Sequence, residues 1–193
     1  MIITYPDQRL RQKSLPVEVV DQKLKKIIQG LKTELLAKNN GLGLAAPQLG
    51  ENKRVFAIKD FAKSYSPDQP YLVEIFINPE IKDCFDKEKV YPKIITKDNK
   101  KTNFLEGCLS LPGLWGRVKR WLKIKVSWQS LVGENLISKE KIIKGLKAVV
   151  FQHELDHLEG ILFIDRVKEE KGNLYQIDKK GRRKEILLKK RFP

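Results

Sequence analysis

The chain has 193 residues and a hydrophobic fraction of 41%, which together predict one globular domain around one hydrophobic core. No apolar run approaches the roughly 18 residues of a membrane span, and the N-terminus lacks the basic and then apolar pattern of a signal peptide. We therefore expect a cytoplasmic protein that does not bind membranes. The net charge of +15 is compatible with a polyanionic partner such as RNA.

An amphipathic helix is the first predicted element. Apolar residues recur at helical spacing over 20–40, Asp21 is suited to cap the N-terminus, and glycines at 41 and 43 are expected to end the helix. The next predicted elements are a strand over 54–61 and a strand over 71–79 that is stopped by Asn78 and Pro79. A polar, lysine-rich stretch follows over 82–103, in which TKDNKKTN at 96–103 is the part least expected to be regular. Strands over 121–131 and 134–144 come next, and then a helix from Gly145 to about Glu159 closed by Gly160. This order indicates an α+β fold.

The last predicted helix contains FQHELDHLEG at 151–160, which includes the two histidines of the chain. Positions i and i+4 share one face of a helix, so His153 and His157 can reach one cation. Glu154 lies close enough to exchange a proton with a water that the cation activates, as in other H-E-x-x-H motifs. An ordinary amphipathic helix with two surface histidines is the alternative.

An apolar stripe extends the face that carries the histidines. Leu146, Val149 and Val150 precede His153 by seven, four and three positions. The stripe is either the wall of a hydrophobic pocket beside the metal or simply part of the core.

No further histidine is present to complete such a metal site. The glutamates after His157 lie in charged sequence, so the third ligand is expected upstream. Cytoplasmic cysteines are usually free thiols. Cys108 lies in the apolar, glycine-flanked turn EGCLSLPG, whereas Cys84 is expected in the charged loop KDCFDKEK as an incidental thiol. One thiolate with two imidazoles leaves a fourth position open for water, as catalytic sites do, and accommodates Fe²⁺ as well as Zn²⁺.

A glycine-rich stretch, GLGLAAPQLG at 41–50, ends near the amide of Gln48. It lacks the lysine of a phosphate-binding loop and does not follow a predicted strand, so a phosphate site is disfavoured. A hydrogen bond from Gln48 to a developing oxyanion is the functional interpretation. A tight turn with a buried amide is the structural one.

The tail KKGRRKEILLKKR at 179–191 has eight basic residues and one acidic residue. This excess of positive charge is about half of the net charge of the chain. Such a tail suits RNA or an anionic membrane surface. A solvated lysine-rich surface is the alternative, because lysine is frequent elsewhere in the chain as well.

Three motifs in this order, GLGLAAPQ, EGCLSLP and QHELDHLEG, resemble those of the peptide deformylase family, and the resemblance spans about 2–167. It implies a metal-dependent hydrolase of protein biosynthesis that removes the formyl group from N-formylmethionine of nascent polypeptides and releases formate. The implied fold is α+β, with mostly antiparallel sheets packed around a C-terminal HExxH helix and with an N-terminal helix.

The resemblance assigns a role to each matching position. Cys108, His153 and His157 are expected to bind one divalent metal ion, which we expect to be Fe²⁺ in the cell, with Zn²⁺, Ni²⁺ or Co²⁺ able to substitute. Glu154 is expected to be the general acid and base. The resemblance implies an oxyanion hole formed by Gln48 and the backbone N–H of Leu109. It implies that Glu106 and Arg120 support the metal ligands or the structure around them. The implied methionine pocket is lined by Leu42, Gly43, Phe104, Leu146, Val149 and Val150.

The chain also departs from the family pattern. The stretch from Asn78 to Cys108 is longer than usual, which predicts a lysine-rich insertion. Some members have an arginine seven residues after the metal cysteine, where this chain has Trp115; Arg117 is the neighbouring candidate for that role. We expect one catalytic domain over 1–170 and a basic tail over 171–193 that contacts ribosomal RNA through phosphates.

Two other functions fit parts of the sequence. A small zinc peptidase would cleave unformylated peptides, and the EGCLS stretch around Cys108 argues against it. A ribosome- or RNA-associated protein with a deformylase-like fold and an inactive metal site would explain the charge, but no aromatic-basic RNA-binding signature is present.

Overall fold

A computed structural model of the chain describes residues 1–60, 72–95, 99–178 and 182–186. The helices are α1 Gln22–Leu36, α2 Gly145–Leu158 and α3 Phe163–Glu169, with 3₁₀ turns at Gln8–Arg11 and Ala46–Leu49. The strands are β1 Gly43–Ala45, β2 Val55–Lys59, β3 Val73–Cys84, β4 Lys93–Ile95, β5 Lys101–Asn103, β6 Glu106–Cys108, β7 Leu111–Gly116, β8 Lys123–Val132, β9 Asn135–Lys144, β10 Leu174–Ile177 and β11 Arg183–Ile186. The predicted α+β class is confirmed. Within the described ranges, each helix is too short or too polar to cross a membrane.

The strands form antiparallel sheets. A five-stranded sheet has the order β1-β2-β3-β8-β9, a four-stranded sheet has the order β11-β10-β7-β6, and β4 pairs with β5. The predicted strands over 54–61, 121–131 and 134–144 are confirmed as β2, β8 and β9.

The five-stranded sheet has a helix on each face. Successive residues of a strand point to opposite faces, so Val55 and Ala57 of β2 pack in the cluster that includes α1, while Phe56 and Ile58 pack in the cluster that includes α2. All of β2 is therefore buried. The third cluster lies between α3 and the four-stranded sheet.

Helix α1 confirms the predicted N-terminal helix and its cap. The Asp21 carboxylate accepts a hydrogen bond from the Leu24 N–H at 2.7 Å. The helix ends at Leu36, earlier than predicted, and a short loop leads to the glycines at 41 and 43. That loop brings the chain to β1 beside α2.

The predicted stop of the second strand at Asn78 and Pro79 is wrong, because β3 continues to Cys84. Asn78 adopts a left-handed φ of 49°, and the register with β8 shifts between Ile77 and Glu80. The Asn78 side chain accepts from the Val17 N–H and donates to the Val17 carbonyl, both at 2.8 Å. A bulge held by these bonds lets the strand pass the proline.

The lysine-rich stretch over 82–103 is more regular than predicted. Cys84 is the last residue of β3, opposite Ile124, rather than part of a loop, and both cysteines are free thiols. Strands β4 and β5 pair as a hairpin whose residues 96–98 lie outside the described ranges. The sequence alone did not indicate this pairing because both strands are short and exposed.

The predicted C-terminal helix is confirmed as α2, and Gly160 lies just beyond its end with a φ of 73°. A Cβ at this position would lie 2.4 Å from the Arg11 carbonyl oxygen, so the close approach of the N-terminal segment requires glycine.

The segment after 170 contributes to the four-stranded sheet. Strand β10 pairs with β7 and β11 pairs with β10, and Leu174 is buried in the third cluster. The division at residue 170 stays a prediction, and the parts of the predicted tail at 179–181 and 187–193 lie outside the described residues.

We expect Asn78→Ala to lower the free energy of unfolding by about 3 kcal/mol, because it removes partly buried hydrogen bonds and places alanine in the left-handed region, which asparagine tolerates better. Asn78→Gly loses the same bonds but tolerates the positive φ, so its loss should be smaller by about 1 kcal/mol. Urea unfolding measures both values. Equal losses in the two variants would contradict the proposed strain, and no loss in either would contradict the role of the bonds.

Candidate metal centre

Three ligand atoms converge where β6 meets α2. The ligating atoms of Cys108, His153 and His157 all lie within 4.8 Å of one another. The histidines are four residues apart on α2 and share a face, and Cys108 ends β6 opposite that face. One sulfur and two nitrogens form a donor set that fits a divalent transition metal with a position left open for a water or substrate oxygen.

The Cys108 thiol is surrounded by polar groups. Its Sγ lies 3.2 Å from His157 Nε2, and Ser110 N–H and Gln48 Nε2 point to it at 3.4 and 3.5 Å. Burial raises the pKa of the thiol, but the imidazoles of His157 and His153 outweigh burial and lower this pKa to about 5. The ligand is therefore poised as the thiolate that a metal requires.

A carboxylate orients the first imidazole. Glu106 Oε2 lies 2.9 Å from His153 Nδ1, which leaves Nε2 as the atom free to bind a metal. Glu106 precedes Cys108 by two residues on β6, so both side chains point towards α2. Burial raises the pKa of Glu106, but the Arg120 guanidinium holds it at about 2, so Glu106 remains an anion.

Buried charges continue from Glu106 to α3. Arg120 Nε and Nη2 donate to the two oxygens of Glu106 at 2.7 and 2.8 Å, and its Nη1 donates to Asp156 at 2.6 Å. Asp156 also accepts from Arg166 Nη2 at 2.7 Å, and Arg166 Nη1 donates to Glu169 at 3.0 Å. Arg120 and Glu106 are 4% and 3% exposed, so solvent does not screen the ion pair between them as it screens surface pairs.

Glu154 points at the same centre from the helix. It is buried, and among the described residues its Oε2 accepts no hydrogen bond. Burial raises the pKa of Glu154 to about 7. The Nδ1 of His157 is likewise buried without a partner in the described part of the chain. An unpaired carboxylate oxygen beside three convergent ligand atoms fits a group that exchanges protons with a molecule bound there.

Gly43 of β1 lies against the Glu154 carboxylate. A Cβ at position 43 would stand 2.4 Å from Oε1 and 2.8 Å from Cδ of Glu154, so an added side chain would force the Glu154 carboxylate to move. Gly43 does not have a positive φ. Glycine is needed at this position of the glycine-rich stretch because a functional side chain approaches the backbone closely.

The amide of Gln48 has a fixed orientation. Its Oε1 accepts from the Ala45 N–H at 2.8 Å, so its NH₂ group faces Ser110 Oγ, at 3.1 Å, and the Cys108 sulfur. Leu109 follows Cys108 directly and is half-buried. Both Gln48 and Leu109 line the cavity described next.

A cavity of about 250 Å³ lies beside these groups, with Glu154 and His153 in its wall. Five of the six residues predicted for the methionine pocket line it, namely Leu42, Gly43, Phe104, Val149 and Val150. Leu146 is not in its lining; it is half-buried and packs against the core cluster that contains Phe151. Trp115 also lines the cavity, whereas Arg117 is not in the lining and lies 4.3 Å over the Tyr91 ring.

Sequence reasoning missed a buried lysine that supports the cavity wall. Lys59 is 2% exposed, its Nζ donates to the Lys38 carbonyl at 2.7 Å, and its N–H donates to the Leu42 carbonyl at 2.9 Å. These bonds attach both ends of the loop over 38–42 to the end of β2. Asp156 and Arg166 were also missed, although Asp156 lies inside the quoted histidine motif.

The chain is similar to proteins of one family over most of its length. The family model described as polypeptide deformylase matches residues 1–173. A peptide deformylase of Desulfotalea psychrophila is 38% identical over 175 residues, which are 91% of each chain. A peptide deformylase of Aquifex aeolicus is 38% identical over 167 residues, which are 86% of each chain.

Solved structures give the same result. A crystal structure of peptide deformylase from Plasmodium falciparum is 33% identical with a TM-score of 0.68, over 89% of this chain and 90% of that chain. A probable peptide deformylase from synechococcus phage S-SSM7 is 36% identical with a TM-score of 0.69, over 86% of this chain and 98% of that chain.

We expect Glu106→Gln to weaken metal binding by about 10- to 100-fold, because the carboxamide no longer matches both the Arg120 fork and the His153 N–H. Competition with a chromophoric chelator measures the affinity. Glu169→Gln, at the exposed end of the same chain of charges, is the matched control and should bind metal as the parent does. Parental affinity in Glu106→Gln would contradict the orienting role.

Proposed function

This chain belongs to the polypeptide deformylase family, and we propose that its cavity is where the protein performs the activity of that family. The protein hydrolyses the N-formyl group from N-formylmethionine of nascent polypeptides and releases formate. One observation carries the assignment of the site: three ligand atoms converge beside a largely apolar cavity, and Cys108, His153 and the unpaired Glu154 carboxylate lie in its wall. No feature of the described residues favours the inactive RNA-associated alternative.

A divalent metal ion is the cofactor, and Cys108, His153 and His157 would hold it. When bound, such an ion polarises a carbonyl oxygen and lowers the pKa of water. We infer Fe²⁺ as the ion used in the cell, since a thiolate with two imidazoles accommodates it, with Zn²⁺, Ni²⁺ or Co²⁺ as substitutes. The thiolate also makes the site sensitive to oxidation.

Glu154 would move the protons of the reaction. Its carboxylate lies at the ligand cluster and has an unpaired oxygen, so it can take a proton from the attacking water. The hydroxide attacks the formyl carbon, and the carbonyl oxygen becomes an oxyanion. Glu154 then gives the proton to the leaving amine, which releases formate and a free methionine α-amine.

Gln48 and Leu109 would stabilise the oxyanion. The Ala45 N–H fixes the Gln48 amide so that its NH₂ group faces Cys108. The Leu109 N–H belongs to the residue after the cysteine ligand. Donors that are held in place before the reaction need no reorganisation as the charge develops.

The apolar wall would hold the methionine side chain. Leu42, Gly43, Phe104, Val149 and Val150 line the cavity, and burial of a thioether chain against such a wall is favourable. Leu146 stays a prediction as a more remote part of this wall.

The site of action would be the cytoplasm, at the ribosome, with residues 1–170 as the catalytic domain. The basic segment over 171–193 would contact ribosomal RNA through phosphates, and the exposed Arg182 and Lys184 support this assignment.

The first test is formate release from formyl-Met-Ala-Ser by anaerobically purified, Fe²⁺-loaded protein. We expect Glu154→Gln to lower kcat by about 10²- to 10⁴-fold, since the proton carrier is lost, with the metal content unchanged. Cys108→Ser should lose both activity and metal. Glu140→Gln, on the exposed strand β9, is the control. Full activity in Glu154→Gln, or an inactive parent with one metal bound, would contradict the proposed function.

A second test uses the contact between Gly43 and Glu154. We expect Gly43→Ala to lower kcat by about 100-fold, because a shift of roughly 1 Å in a catalytic group has this effect, while the ligand set stays intact. Gly30→Ala in α1, whose Cβ would make an ordinary contact with Leu49, is the matched control. Stopped-time formate assays and metal analysis on both variants measure this, and parental kcat in Gly43→Ala would show that Glu154 can move freely.

A further inference from the structure

The four-stranded sheet has a core face and an outer face. A Cβ at Gly116 would meet Val167 and Phe163 of α3, so this position of β7 faces the core. Trp115 is the preceding residue and therefore faces outward. Trp115 pairs directly with Tyr175 of β10, and direct cross-strand partners share a face.

The cavity is continuous with this outer face. Gly107 of β6 pairs with Trp115, and a Cβ at Gly107 would lie 2.8 Å from the indole, so the indole covers the glycine. Gly107, Gly113 and Trp115 all line the cavity. The wall that begins beside Cys108 thus reaches Trp115 on β7, and Tyr175 lies next to Trp115 on the same face.

The outer face carries a cationic group beyond the indole. The Arg183 guanidinium lies 3.5 Å from the centroid of the Tyr175 ring, as a stacked cation–π pair. Arg183 is exposed, and Tyr175 is half-buried. We call Trp115, Tyr175 and Arg183 the outer aromatic row.

We propose that the outer aromatic row binds the part of a formylated nascent peptide that follows its first two residues. This inference rests on the proposed function, which places the formylmethionine in the cavity. Neighbouring strands are about 4.8 Å apart, so β10 is about 10 Å from β6, or roughly three residues of extended chain. The rings suit apolar or aromatic side chains of the peptide, and Arg183 suits carbonyl or carboxylate oxygens.

Single-stranded RNA also stacks on aromatic rings beside arginine. The peptide is favoured because the row starts in the wall of the cavity that holds the reacting residue, so the extending substrate passes over it. Trp115 stands where some family members have an arginine, which is consistent with peptide contacts of a different chemistry at this position.

The test compares formyl-Met-Ala, which ends before Tyr175, with formyl-Met-Ala-Phe-Phe. The parent should have the higher kcat/KM with the longer peptide, mainly through KM. The measured ratio is kcat/KM for the longer peptide divided by kcat/KM for the shorter one. Tyr175→Ser should lower this ratio by about two- to tenfold, as expected for loss of an aromatic pair. Tyr175→Phe keeps the ring and should keep the ratio. Gln176→Ser, next on β10 but on the other face, is the matched control.

Each outcome decides the proposal. The parental ratio in Tyr175→Ser, or an equal fall in Gln176→Ser, would overturn it. So would weaker binding of a uridine 12-mer by Tyr175→Ser with an unchanged peptide ratio, since the face would then be an RNA surface. Affinity for the product Met-Ala-Phe-Phe, measured by equilibrium titration, distinguishes failure of the proposed function from failure of the outer aromatic row. An inactive parent contradicts the proposed function. Equal product affinity in the parent and in Tyr175→Ser contradicts peptide binding by the row.

Discussion

The buried ion pair between Glu106 and Arg120 is the interaction on which the site depends. Glu106 belongs to the strand that ends in Cys108, and its second oxygen orients His153 of the helix. Arg120 extends the same contact to Asp156, one turn after His153 on that helix. Loss of one partner of such a pair costs about 3–5 kcal/mol, because the other charge stays buried without compensation. One guanidinium therefore holds both elements of the candidate metal centre in register.

The fold brings a third element to this pair. The five-stranded sheet has α1 on one face and α2 on the other, and its edge strand β1 runs beside α2. Gly43 of β1 touches Glu154, and the Lys59 bonds hold the loop that leads into β1. Helix α2 supplies the proton carrier, two of the ligands and part of the apolar wall, while the third ligand comes from β6, so the site depends on how these elements pack together.

Sequence patterns predicted the features that depend on residues close together in the chain. The spacing of His153 and His157 places them on one helical face, and the Asp21 cap and the position of Gly160 define helix ends, all within one or two turns. The α+β class is confirmed, while the roles of the site residues stay predictions. Contacts between distant residues were not predictable, because periodicity carries no information on pairing: Arg120 meets Asp156 across 36 positions. Asn78 misled the strand prediction because its side chain bonds to Val17 stabilise a bulge that composition does not reveal.

The most direct measurement of the central claim is X-ray absorption at the metal edge of protein loaded with one equivalent of Fe²⁺ under anaerobic conditions. The account predicts one sulfur and two imidazole nitrogens in the first coordination shell, with the sulfur lost in Cys108→Ser and retained in Cys84→Ser. A shell without sulfur, or a sulfur that disappears with Cys84 instead, would contradict it.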